Sequence, residues 1–97
     1  MTVLSMVHIH IKGDEEHALA LLHQTLIATR ERNGCVRVET VQDRNDPGHI
    51  VLLETWASLE DEAAYRSWRA EQPPNQAWRD CVANVPEVSN FTVRSDV

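Results

Sequence analysis

Glycine and proline are scarce, three and four in 97 residues, which excludes a collagen-like or low-complexity chain. Cations are few as well. Nine Lys and Arg, scattered singly, stand against fifteen Asp and Glu for a formal charge of -6. Nucleic acid needs a clustered basic face that displaces counterions from phosphates, and an anionic membrane surface needs the same, so neither partner is expected. No run approaches the roughly 20 apolar residues that span a bilayer. The opening MTVLSMVHIHIK has no basic leader and alternates, so it does not read as a signal peptide. Two cysteines, Cys35 and Cys81, lie far apart and outside any C-x-x-C, which fits a reducing cytoplasm better than a disulfide scaffold. A single bridge between them stays open.

What is present is 42 % apolar and 25 % charged, the balance of a packed chain. A chain this short buries only about 60 % of its unfolded surface, which leaves room for one domain, residues 1–97. Val3 to Ile11 alternates in the strand period, with Val7, Ile9 and Ile11 on one face and Leu4, Met6, His8 and His10 on the other. Asp14 can cap a helix from Glu15 to Arg32, striped by Leu19, Leu22 and Leu26 and stopped at Asn33-Gly34. Cys35–Gln42 and His49–Trp56 read as a hairpin around the turn cluster Asp43 to Gly48. Ser58 and Asp61 start a second helix that Pro73-Pro74 ends, and Trp78, Val82 and Val85 suggest a short third one. Val88 to Arg94 closes the chain as a strand, with Phe91 and Val93 on one face. This order is the ferredoxin-like split βαβ pattern of an α+β fold, an antiparallel sheet with helices on one face.

One strand does not suit a two-layer domain. Ile50-Val51-Leu52-Leu53 is apolar on both faces, although helices can cover only one. Leaving Val51 and Leu53 bare would forfeit about 1.5–3 kcal/mol each, so a second copy is expected to cover them in a two-fold homodimer.

Several segments together carry a resemblance: Lys12-Gly13 after the first strand, Arg32-Asn33-Gly34-Cys35 after the first helix, and Leu53-Glu54-Thr55-Trp56 before the Ser58-Leu59-Glu60-Asp61 helix start. From about Val7 to Val93 the chain resembles the antibiotic biosynthesis monooxygenase superfamily of dimeric α+β barrels. That family includes cofactor-free oxygenases of aromatic polyketides, quinol monooxygenases, haem-degrading enzymes and a signal-molecule isomerase. The resemblance implies oxidation by O2 of a small aromatic, quinol-type or polyketide substrate, with no cofactor. Many members carry two histidines in the helix after the tryptophan; here those positions are Tyr65 and Ala70. The positions that match the Asn, Trp and axial His of haem-degrading members are Met6, Tyr65 and Asn75.

His8 and His10 leave one face of a strand, a spacing that can bite a metal, but no third ligand is evident and no metal is expected. His8 is the better candidate for a catalytic base, alone or with Tyr65, and His10 for a pocket wall. Trp56, Trp68 and Trp78 gather with Tyr65 between positions 56 and 78, either as core or as the wall of a flat cavity for a phenolic substrate. Glu54, in an apolar run, needs a partner, for which Arg37 at the dimer seam is the candidate; a catalytic base is the second reading, and Glu54 would be the third metal ligand only if its strand presented it to the face of His8 and His10. His17, His23 and His49 are expected in solvent. Two other functions stay open: a dimeric small-molecule-binding or stress-associated protein without turnover, and an isomerase of a small carbonyl compound, suggested by Cys81-Val82-Ala83.

Overall fold

Alternation in the first strand decides which way the sheet faces. A computed structural model describes residues 1–97. In β1 (Val3–His10), Val3, Ser5, Val7 and Ile9 are buried, Leu4, Met6 and His8 are half-covered, and His10 is exposed. Then follow α1 (Glu15–Arg30), β2 (Cys35–Gln42), β3 (His49–Trp56), α2 (Leu59–Glu71), α3 (Gln76–Arg79) and β4 (Glu87–Thr92). The strands lie in the order β2-β3-β1-β4, every neighbour antiparallel, with the helices packed on one face. This is the ferredoxin-like α+β fold that the element order implied.

The covered face holds the core. Val7 and Ile9 of β1, Ile50 and Leu52 of β3 and Val38 of β2 pack against Leu22 and Leu26 of α1. At the far end of the sheet Val3, Trp56 and Tyr65 form a smaller cluster. On the uncovered face Leu4, Met6, Val51 and Leu53 are half-buried, and Val41 and Phe91 are exposed. The two-sided apolarity of β3 is therefore real.

Local chemistry sets the ends of the elements. The Asp14 carboxylate accepts from the Glu16 and His17 N–H groups at the start of α1, and Ser58 accepts from Asp61 at the start of α2. α1 stops at Arg30, short of Arg32, because the chain turns through Gly34 at φ +82, where a Cβ would strain and would also strike the Asp61 side chain. Gln72 is extended at ψ 147, as the residue before Pro73 must be, so α2 ends there.

The third helix is shorter than the Trp78, Val82, Val85 spacing suggested. It is a single turn capped by Asn75, after which Val82 pairs with Ile11 as an isolated bridge and the Lys12 and Ala83 N–H groups bond to Cys81 and His10 carbonyls. Unpaired strand edges at the end of β1 hold this segment better than a further helical turn, and Val85 is left 87 % exposed. β4 likewise ends at Thr92, and Phe91 lies opposite Leu4 on the uncovered face.

Candidate functional site

The period of two along β3 carries Glu54 and Trp56 to the covered face beside Ile50 and Leu52, so the E-x-W pair faces α2. Glu54 is 1 % exposed and Trp56 fully buried, and the indole N–H donates to Glu54 Oε1 at 3.4 Å. Arg66 of α2 reaches Glu54 through Nη2 and donates from Nε to Glu62 Oε2, one helical turn back, at 2.7 Å. Glu62 is itself only 3 % exposed. Ser5, opposite Glu54 in the β1–β3 register, donates its hydroxyl toward Asn90 Oδ1 at 2.7 Å and lies 3.4 Å from Glu62 Oε2. Asn90 Nδ2 lies 3.5 Å from Glu62 Oε1.

Two buried carboxylates thus share one guanidinium. Desolvating each ion costs several kcal/mol, and apolar side chains of similar volume would fill the space at no such cost. Such a cluster is expensive as architecture and useful as a proton acceptor. Glu62 is the member nearer β4: beyond Arg66 it has two long contacts, to Ser5 and Asn90, where Glu54 has one, to Trp56. Asn90 also lines a groove of about 460 Å3 where the start of α2 meets β4, with Met1, Val3, Leu59 and Phe91 as its apolar wall. The acidic cluster therefore lies behind the floor of a ligand-sized groove. Glu54 acts at a distance too: burial first, and the Glu54 charge second, push the Cys35 thiol above its ordinary value.

Of the six residues expected at the site, Trp56, Tyr65 and Trp68 come together, while Trp78, His8 and His10 lie elsewhere. Tyr65, 3 % exposed, stacks on Trp56 with ring centroids 4.8 Å apart. Its hydroxyl bonds Thr29 Oγ1 at 2.8 Å and accepts from Arg69 Nε at 3.1 Å. Trp68 is half-buried beside them, between the guanidiniums of Arg32 and Arg69. Trp78 packs on the main core and lines a second groove at the other end of α2. His8 and His10 leave the opposite face of the sheet, so the sheet itself separates them from Tyr65.

Two expectations are corrected. Glu54 pairs with Arg66 across the covered face, because Arg37 points to the uncovered one, where it meets Glu39 at 3.1 Å. His49 is half-buried rather than free in solvent. It is opposite His10 in the register, stacks on it at 4.7 Å, and bridges His8 Nδ1 (3.1 Å) and Asp43 Oδ2 (3.2 Å). Asp43 is held below the usual carboxylate range, first by the Asn45 N–H and then by His49. His17 and His23 are exposed, as expected.

Ser5, Glu62, Arg66 and Asn90 were missed. One signal was present: Ser5 interrupts the apolar positions Val3, Val7 and Ile9, Glu54 interrupts Ile50, Leu52 and Trp56, and the two interruptions face each other in an antiparallel pair.

Fold and site define a small ferredoxin-like protein with a groove over a buried acidic cluster. The family model of the antibiotic biosynthesis monooxygenases matches residues 2–83, and the chain belongs to that family. Among solved structures it is similar to SnoaB, a cofactor-independent oxygenase from Streptomyces nogalater: 19 % identity, 97 % of this chain and 94 % of that one covered, TM-score 0.75. It is similar also to Rv0793 from Mycobacterium tuberculosis: 20 % identity, 98 % and 97 % covered, TM-score 0.72. A conserved protein from Methanosarcina mazei Go1 has the same fold at 12 % identity, with 97 % and 94 % covered and a TM-score of 0.75. No curated protein matches the sequence. No helix is long and apolar enough to cross a membrane.

Proposed function

We propose that this chain is a monooxygenase that oxidises a small electron-rich aromatic, a quinol or polyketide-type phenol, with O2 and without a cofactor, and that it works as a homodimer joined through the uncovered sheet face. The observation that carries the reading is the pair of buried carboxylates, Glu54 and Glu62, sharing Arg66 behind the groove floor. Family membership and the likeness to a cofactor-independent oxygenase support it.

In this mechanism the substrate ring lies on Leu59 and Phe91, and Asn90 orients its oxygen. Glu62, which lies behind Asn90 and does not itself line the groove, takes the acidic proton through one bridging water, a transfer worth about 10²–10⁴-fold in rate when the base is well placed. The resulting anion supplies both electrons to O2 at carbon. The hydroperoxide then loses water as the geminal C–H breaks, leaving a carbonyl, so one oxygen atom stays in the product. Arg66 holds the Glu62 carboxylate in place behind Asn90, and Glu54 holds Arg66. His8 lies on the uncovered face, which the proposed dimer would bury. Tyr65 has its hydroxyl committed to Thr29 and Arg69.

Oxygen uptake with 1,4-dihydroxynaphthalene and anthrone tests the reading. Uptake matched by quinone formation is expected, with Glu62→Gln slower by about 10²-fold and His8→Ala unchanged. Uptake no faster than in buffer, or a Glu62→Gln variant as fast as the parent, would defeat it. One observation favours binding without turnover: of the two helix positions where many members carry histidines, Tyr65 is locked in the core and Ala70 carries no functional group.

A further inference from the structure

The second groove, about 440 Å3, lies at the C-terminal end of α2, between α1, the Pro73-Pro74 turn and α3. Its charged lining consists of Arg69 and Arg79, with no carboxylate, in a chain whose formal charge is -6. Arg69 is half-buried and rigidly placed: Nε donates to Tyr65, and Nη2 donates to Thr29 Oγ1 at 2.9 Å and to the Thr25 carbonyl at 3.3 Å. All three acceptors are neutral. The chain's ion pairs use Arg37, Arg66 and Arg94 with carboxylates, and neither Arg69 nor Arg79 enters one. Arg69 lies against the Trp68 and Tyr65 rings and Arg79 is exposed, so the groove presents two positive charges that no protein carboxylate pairs.

The rest of the lining combines one aromatic side chain with two prolines and neutral polar groups. Trp78 provides an aromatic wall, and Pro73 and Pro74 provide a rim that loses no rotamer entropy on binding. Asn75 uses its side-chain oxygen to cap Trp78, which leaves its amide N–H groups free to donate. A fixed guanidinium with Nη1 uncommitted, a second guanidinium and an indole in the lining of one groove suit a carboxylate attached to a planar ring.

We infer that this groove is a binding site for a small aromatic carboxylate, its carboxylate held by Arg69 and Arg79 and its ring against Trp78. The site is independent of the oxygenase reading, since it stands on other residues at the opposite end of α2.

Calorimetric titration of the intact chain with 1-hydroxy-2-naphthoate and, separately, with 1-naphthol tests it. The naphthoate is expected to bind at least about tenfold more tightly than the naphthol, and to weaken as salt rises. Arg79→Gln, an exposed change that leaves the core intact, should lose about tenfold in naphthoate affinity. Arg79→Lys should recover part of that loss, because it restores charge without the planar fork. Glu62→Gln should leave naphthoate affinity unchanged. No heat of binding, equal affinity for the naphthol, or indifference to Arg79→Gln would each overturn the assignment. So would abolition by Glu62→Gln, which would move the ligand to the first groove. A parent that consumes no oxygen yet binds naphthoate in this manner defeats the oxygenase reading and leaves this one standing.

Discussion

The two faces of the sheet break the same rule in opposite directions. On the face that helices cover, Ser5 and Glu54 occupy positions where apolar side chains are expected, and α2 adds Glu62 from above. On the face that nothing covers, Leu4, Met6, Val51 and Leu53 are apolar where a solvated sheet would be polar. A polar group inside and an apolar patch outside are the two informative departures from ordinary burial. On the proposed reading the first serves chemistry and the second an interface between copies. Each face also carries a network: the covered one is sealed and acidic, while His8, His10, His49 and Asp43 form the half-exposed one at the rim of the other.

The sharpest way to break this comparison is to remove the cation from the sealed network. Arg66→Leu leaves Glu54 and Glu62 buried without a counter-charge and should cost about 3–5 kcal/mol in urea denaturation. A loss below 1 kcal/mol would mean that water reaches these carboxylates. On the uncovered face, Leu53→Asp places a charge in the proposed seam. Sedimentation should find the parent dimeric at micromolar concentration and the variant's association weaker by about 10²-fold or more. A monomeric parent would leave the apolar face unexplained.

Tyr65→Phe probes the boundary between site and core with a smaller effect. The ring and its stacking on Trp56 are kept, but Arg69 Nε and the Thr29 hydroxyl lose a buried partner, so about 1–3 kcal/mol should be lost. An unchanged Tm would show that these groups find other partners. Asp43 gives the smallest effect, one of pH alone. Its folded-state pKa lies below the unfolded one, so its contribution is complete above the ordinary carboxylate range and disappears as the pH falls through the folded value. Thermal melts of the parent and Asp43→Asn should therefore differ at neutral pH and converge in acid. Curves that stay parallel would show that the turn does not depend on that charge.

Much of the fold was legible because it depends on local and periodic signals. Asp14 and Ser58 are caps wherever the chain goes, Pro73 fixes Gln72 by steric contact alone, and alternation in β1 and β3 orients both strands. The site was far less legible. Glu62, read alone, is a charged residue in the first turns of an acidic helix and belongs in solvent; only the docking of α2 over Ser5 buries it. The third helix failed for a related reason, since the Val82 partner, Ile11, lies in a strand edge remote in sequence.

By itself the sequence determined the order of elements, the caps that start α1 and α2, the stop at Pro73 and the apolar second face of β3, because each follows from dihedral preferences, hydrogen bonding by neighbours or the side-chain period of two. Tertiary structure decided which charges meet. It took Glu54 from Arg37 to Arg66, put the sheet between His8 and Tyr65, and left Arg69 and Arg79 without a carboxylate. Electrostatic partners are chosen by distances through space of a few ångströms, and spacing along the chain carries no such distance once two elements pack.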